Sequence, residues 1–230
     1  MGVMNLQIGK KLIGLQMKSL NRTFSEFSGL YAITPTYLRG EPLIDAVNES
    51  VSSGIQILQY RFDDRLEEEE KLKTASKLLE VCDASEAIFI INNDYNLANE
   101  LGAGLHIGQD IRDTTFMKDL DQIKLVGLSC KDDHLQQSRN DHALFSYFSF
   151  GPVFESKTKK SLKGTIDIDL ISKKMNAGKI NVAIGGIDSN NISEIKKNGF
   201  DMAAICEGIY NDPKKISKNI KKLNDIWNEN

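Results

Sequence analysis

The sequence predicts an α/β protein built as a single (β/α)8 barrel, and three observations carry that expectation. Eight short apolar runs, rich in branched or aromatic residues, recur along the chain. Stretches with helical periodicity lie between most of them, which implies parallel βαβ units. No internal repeat and no Pro/Gly/Ser-rich linker interrupts the 230 residues, so one domain is the simpler reading. Eight such units in about 200 residues suit a small closed barrel, with an open doubly wound sheet as the competing arrangement.

Residues 1–28 precede the first strand and are read as an N-terminal extension, where Ile8, Leu12, Leu15 and Leu20 suit one amphipathic helix or a flexible tail. The barrel is assigned to residues 29–230. Its predicted strands are "GLYAI" (29–33), "IQILQY" (55–60), "AIFII" (87–91), "GLHI" (104–107), "KLVGLS" (124–129), "FSYFSFG" (145–151), "INVAIGG" (180–186) and "DMAAIC" (201–206). Between the second and third strands, "LEEEEKLKTASKLLEVC" places Leu72, Ala75, Leu78, Leu79 and Cys82 on one helical face. Its glutamates form a solvated helix start that suits the positive end of the helix dipole. The closing segment 213–228 puts Ile216, Ile220, Leu223 and Trp227 on one face, an apolar stripe predicted to pack on strands one and eight.

Composition narrows the function classes. A formal net charge of -3 gives no global attraction to nucleic acid or to a membrane surface, so any anion site has to be local. Cys82, Cys130 and Cys206 are odd in number and widely spaced, which suggests neither a disulfide framework nor a zinc site and fits a reducing cytoplasm. The start of the chain lacks the compact apolar block of a signal peptide, and no run approaches the roughly 18 apolar residues of a membrane span.

In either α/β arrangement a ligand site lies beyond the C-terminal ends of the strands. The strand ends therefore supply the candidates. Gln59 and Arg61 close strand two; Arg61 suits a phosphate or carboxylate, or a structural ion pair. Asn93 and Asp94 close strand three, and Asp110 follows strand four; each aspartate suits Mg2+ or a helix N-cap. Gly185 and Gly186 after strand seven suit an oxyanion or a tight turn. His106, inside a strand, is read as a packed core residue, and His134 and His142 as surface residues. No nucleophile and base stand in usable placement, which disfavours nucleophilic hydrolysis. Cationic groups on strands two and six, acids on strands three and four and a glycine nest on strand seven could together hold two anionic groups and a divalent cation.

The segments "GLYAIT", "QYR", "FIINND", "GLHIGQD", "GLSC", "FGPVFESKTKK", "AIGGI" and "DMAAIC", in this order, resemble the thiamine-phosphate synthase (thiamine-phosphate pyrophosphorylase) family from about Gly29 to Asp212. The resemblance implies a TIM barrel that condenses 4-amino-2-methyl-5-hydroxymethylpyrimidine diphosphate with 4-methyl-5-(2-phosphoethyl)thiazole, giving thiamine phosphate and pyrophosphate. It implies a dissociative mechanism, a requirement for Mg2+ and a possible homodimer. Gln59 and Arg61 match the family's diphosphate-contacting pair. Asn93 and Asp94 match its Asn-Asp, with Asp94 a magnesium ligand, and Ser129 matches a serine that contacts the pyrimidine. Ser156 and Thr158 match the grip on the thiazole phosphate, Lys159 the lysine reaching the diphosphate, and Gly186 a backbone contact to the thiazole phosphate. Lys157, Lys160 and Lys163 have no family role and suit a solvent-facing lid.

The departures are as specific. Where the family has a second cation on strand two, this chain has Asp63, and Arg65 or Lys131 is the candidate to supply the missing charge. The usual second metal ligand is replaced by Ile111, leaving Asp110 or Asp113. On strand eight, after Cys206, a serine expected near phosphate becomes Glu207. Two other functions stay in view: a thiazole tautomerase-like isomerase, disfavoured because Lys131 occupies its histidine position, and a catalytically impaired homologue that binds phosphate ligands.

Overall fold

A computed structural model of the chain describes residues 27–109, 115–130, 144–155, 165–173, 175 and 178–229. Eight parallel strands close into a barrel in chain order: β1 (Gly29–Ile33), β2 (Ile57–Tyr60), β3 (Ile88–Asn92), β4 (Gly104–Ile107), β5 (Val126–Cys130), β6 (Tyr147–Phe150), β7 (Ile180–Ile184) and β8 (Met202–Ile205). Closure is made by β1 against β8, with Gly29 opposite Met202 and Ala32 opposite Ile205. The closed barrel excludes the open doubly wound alternative. Every predicted strand is present: β1 and β4 keep the predicted bounds, β3 and β5 reach one residue further, and the others are shorter. Ile55, for example, donates its N–H to the Ser50 carbonyl at 3.2 Å and so belongs to the turn that ends the preceding helix.

Among the described residues the helices are α1 (Gly40–Ser52), α2 (Glu68–Ala84), α3 (Tyr95–Leu101), α4 (Ile168–Ser172), α5 (Ile192–Lys197), α6 (Glu207–Tyr210) and α7 (Ile216–Glu229). Short 3-10 helices cover Thr115–Gln122 and Pro213–Lys215. In α2 the glutamates 67–70 are all exposed, as expected of a solvated start. The buried stripe differs by one position: Lys71 is 8% exposed and Leu72 is half-buried. The aliphatic stem explains the exchange, because the Lys71 ammonium lies 5.1 Å over the Phe62 ring and reaches Glu68 at 2.6 Å.

Alternation along each strand divides the core in two. Leu30, Ala32, Leu58, Phe89 and Ile91 face outward and pack with Leu43, Val47, Leu78 and Leu79 of the helices. Tyr31, Ile33, Ile57, Ile88, Ile90, Tyr147, Val182 and Met202 fill the barrel interior. Phe27 is buried with them at 6% exposure, so barrel packing begins two residues before β1. In α7, Ile216, Ile220, Leu223 and Trp227 are all buried. That stripe packs on β1 and is flanked by α1 and α5. Trp227 is a core residue with the Lys196 ammonium 5.1 Å over its ring.

Candidate active site at the C-terminal mouth of the barrel

Because all eight strands run parallel, their C-terminal ends open on one mouth. Gln59, Arg61, Asn93, Asp94, Ser129, Gly185, Gly186, Cys206 and Glu207 are all brought to it, at or just beyond their strands. Ser156, Thr158 and Lys159 lie outside the described residues, as do Asp110, Ile111, Asp113, Lys131, His134, His142 and the lysines 157, 160 and 163.

Arg61 is placed by its backbone. The buried Thr34 hydroxyl accepts from the Arg61 N–H at 2.9 Å and donates to the Arg61 carbonyl at 3.1 Å. The guanidinium makes no ion pair among the described residues, so the structural alternative for this arginine finds no support. Its charge acts on Cys206, whose thiol is pushed up to about 12 by burial and then by Glu207, with Arg61 opposing both. Cys206 is therefore a neutral thiol near pH 7, unsuited to nucleophilic work.

Asp63 is not a bare anion. Its Oδ2 accepts from Arg39 Nη2 and from Arg65 Nη2, each at 2.6 Å, and its Oδ1 accepts from Arg65 Nε at 2.9 Å. Hydrogen bonds from the Arg65 side chain and backbone hold this carboxyl well below the usual carboxylate range. Two arginines around one aspartate leave one net positive charge. Arg39 and Asp63 line a cleft together with Tyr60, Arg61 and the carboxylate of Glu70.

Asn93 adopts a left-handed backbone, φ 64°, and its Oδ1 accepts from the Gly108 N–H at 2.6 Å, tying the ends of β3 and β4. Asp94 caps α3, its Oδ1 accepting from the Leu97 N–H at 3.0 Å. The cap occupies one carboxylate oxygen and leaves Oδ2 without a partner among the described residues. Next to Gly108, Gln109 donates to the Cys130 carbonyl at 3.2 Å, while its buried Oε1 has no partner among the described residues.

Gly185 and Gly186 have φ of 102° and 66°, a region that side chains with Cβ rarely enter. A Cβ on Gly186 would stand 2.4 Å from the Glu155 carbonyl oxygen. The glycine pair thus lets the β7 loop lie directly on the segment after β6. Glu207 opens α6, and after burial its charge is the next cause raising the Tyr37 phenol to about 12.

Beneath the mouth runs a buried polar string that the sequence did not reveal. Gln59, 3% exposed, donates from Nε2 to the Tyr31 hydroxyl at 2.7 Å. That hydroxyl is 2.9 Å from the Tyr147 hydroxyl, which is 2.9 Å from His106 Nδ1. His106 Nε2 is 2.9 Å from Ser129 Oγ, and Ser149 Oγ lies 3.3 Å beyond. The His106 and Tyr147 rings stack at 5.6 Å with an interplanar angle of 18°. A Cβ on Gly127 would stand 2.0 Å from Tyr147 Cζ, so glycine there makes room for the ring. One signal was available: Gln59, His106 and Ser129 interrupt apolar strands at alternate, inward positions.

A sequence profile described as thiamine monophosphate synthase matches residues 30–209, which covers all eight strands but for Gly29, the first residue of β1. The chain belongs to the thiamine monophosphate synthase family. It is 32% identical over 197 residues to thiamine-phosphate synthase 1 of Streptococcus pneumoniae, covering 83% of this chain and 92% of that one. It is 34% identical over 185 residues to the thiamine-phosphate synthase of Chromobacterium violaceum, covering 79% and 88%. Among solved structures, the thiamine phosphate pyrophosphorylase from Pyrococcus furiosus superposes with a TM-score of 0.75 at 22% identity, over 87% of this chain and 96% of that one. This likeness shows the shared barrel. Within the thiamine monophosphate synthase family, the residues matched on β2, β3 and β5 all meet at one opening here.

Proposed function

We propose that this chain condenses 4-amino-2-methyl-5-hydroxymethylpyrimidine diphosphate with 4-methyl-5-(2-phosphoethyl)thiazole, forming thiamine phosphate and pyrophosphate. The observation that carries the reading is the convergence, in a member of the thiamine monophosphate synthase family, of Arg61, Asn93, Asp94 and Ser129 at one mouth. Such a site suits a dissociative reaction, in which the C–O bond to diphosphate breaks before the thiazole nitrogen captures the pyrimidinylmethyl cation. Charge builds on the leaving oxygens, so fixed cations and aligned partners are what the protein has to supply.

Arg61 faces the diphosphate, and Arg39 and Arg65 neutralise Asp63 beside it, so that the aspartate does not repel the anion. Ser129 faces the pyrimidine. Gly186, with Ser156, Thr158 and Lys159, takes the phosphates on the β6 and β7 side. Mg2+ is the ion we propose: Asp94 keeps one oxygen outside its helix cap and Asp110 or Asp113 follows β4 in the sequence, while the described residues alone hold no group of three or more acidic, histidine or cysteine side chains that could bind a metal ion. When bound, the ion would neutralise leaving-group charge. The substrates are small molecules, with no call for nucleic acid or a membrane, and no helix among the described residues is long and apolar enough to cross one. A cytoplasmic homodimer is the setting we propose.

Mixing the purified protein with both substrates and Mg2+ tests the reading. Thiamine phosphate appearing with equimolar pyrophosphate supports it, and the product should fail to appear in chelator. Binding of either substrate without turnover would favour the impaired homologue, and isomerised thiazole without pyrophosphate would favour a tautomerase.

A further inference from the structure

We infer that His106 is a positioning residue that sets the Ser129 hydroxyl at the mouth. The inference rests on the reading of Ser129 as a pyrimidine contact. A serine hydroxyl is free to choose among three staggered rotamers, and its direction is set by whatever partner is near. For Ser129 the near partner is His106 Nε2 at 2.9 Å; the Ser149 hydroxyl at 3.3 Å is a weaker competitor.

The imidazole is itself held three ways. Its other nitrogen meets the Tyr147 hydroxyl at 2.9 Å, its face stacks on the Tyr147 ring, and it is 4% exposed. Tyr147 is fixed in turn by Tyr31, whose hydroxyl also takes the Gln59 amide. Both phenols are pushed up by burial, so they remain protonated and pass on orientation without charge. The arrangement links the β2 and β5 sides of the mouth through the barrel interior, with His106 as the last member before Ser129.

Two substitutions separate positioning from packing. His106→Asn keeps a polar atom near the Nδ1 site facing Tyr147 and withdraws the group facing Ser129. His106→Gln extends an amide to the Nε2 site. With the full chain, both substrates and Mg2+, kcat and KM are measured for wild type, His106→Asn, His106→Gln, Ser129→Ala and His106→Asn/Ser129→Ala, with thermal melts alongside. We expect His106→Asn to lower kcat about tenfold with KM for the pyrimidine diphosphate changed less than about twofold. His106→Gln should recover to within about threefold of wild type, and in the Ser129→Ala background His106→Asn should cost less than about twofold. An equal factor in both backgrounds, or a Gln variant no better than Asn at matched melting temperature, would overturn the inference while leaving Ser129 as a contact. Unchanged kinetics in Ser129→Ala alone would remove the reading of Ser129, and the inference with it.

Discussion

Substituting Gly127 by alanine tests whether the buried polar string is rigid. The added Cβ would fall 2.0 Å from Tyr147 Cζ and 2.4 Å from its hydroxyl oxygen, and the ring has no exposed surface to retreat toward. Ordinary carbon contact begins near 3.4 Å, so the ring must withdraw by about 1.4 Å. A shift of that size takes the 2.9 Å contacts to Tyr31 and His106 beyond hydrogen-bonding range. Overpacking costs about 1–3 kcal/mol, and buried groups left without partners about 1–3 kcal/mol more, so a total near 4 kcal/mol is expected. For a chain of this length that is a fall in Tm of about 8–16 °C, read by circular dichroism. Activity should fall further than the melt alone explains, since Ser129 loses its support. A melting temperature within about 2 °C of wild type would refute the reasoning, because it would mean that the Tyr147 ring moves aside without loss.

Three further outcomes follow from the same geometry. Replacing Arg39 and Arg65 together by alanine exposes Asp63 as an anion and should raise KM for the pyrimidine diphosphate about tenfold, more at low salt; adding Asp63→Ala should reverse most of it, and an unchanged KM would sink the compensating role of the cluster. Asp94→Asn preserves a capping oxygen, so its melt should match wild type while the Mg2+ concentration for half-maximal activity rises; a shifted melt with unchanged Mg2+ response would leave Asp94 a cap alone. Burial raises the Asp83 carboxyl to about 6, and both its oxygens lack partners among the described residues. The folded form therefore holds a proton that the unfolded chain has released between about pH 4 and 6, so stability falls as pH rises through that window and stays lower above it. Asp83→Asn should then raise Tm at pH 7 by about 3–5 °C, a figure reduced for the half-exposed residue, and by nothing at pH 4; an equal gain at both would exclude titration as the cause.

The barrel was legible because period-two strands and period-3.6 helices leave a strong apolar pattern, and the α7 stripe was readable side chain by side chain for that reason. Lys71 escaped because a long aliphatic stem packs like an apolar residue, which the letter K does not announce. At the mouth, Arg61, Asn93 and Asp94 were found because they close strands, and Ser129 through the family resemblance. His106 was read as core, and it is buried; its link to Ser129 joins β4 to β5 across a barrel interior that no local pattern describes. Arg39 escaped for a related reason, since its partner Asp63 lies 24 residues along the chain.

The pairing of β1 with β8 has a consequence for how the chain is made. Gly29 meets Met202 across the seam, so about 170 residues must be synthesised before the first strand finds its second neighbour. At ordinary translation rates that is on the order of ten to thirty seconds during which one edge of β1, a strand wholly buried in the finished barrel, has no strand beside it. The nascent chain is most exposed to aggregation in that interval, and holding factors at the ribosome would act then, before α7 seats against β1.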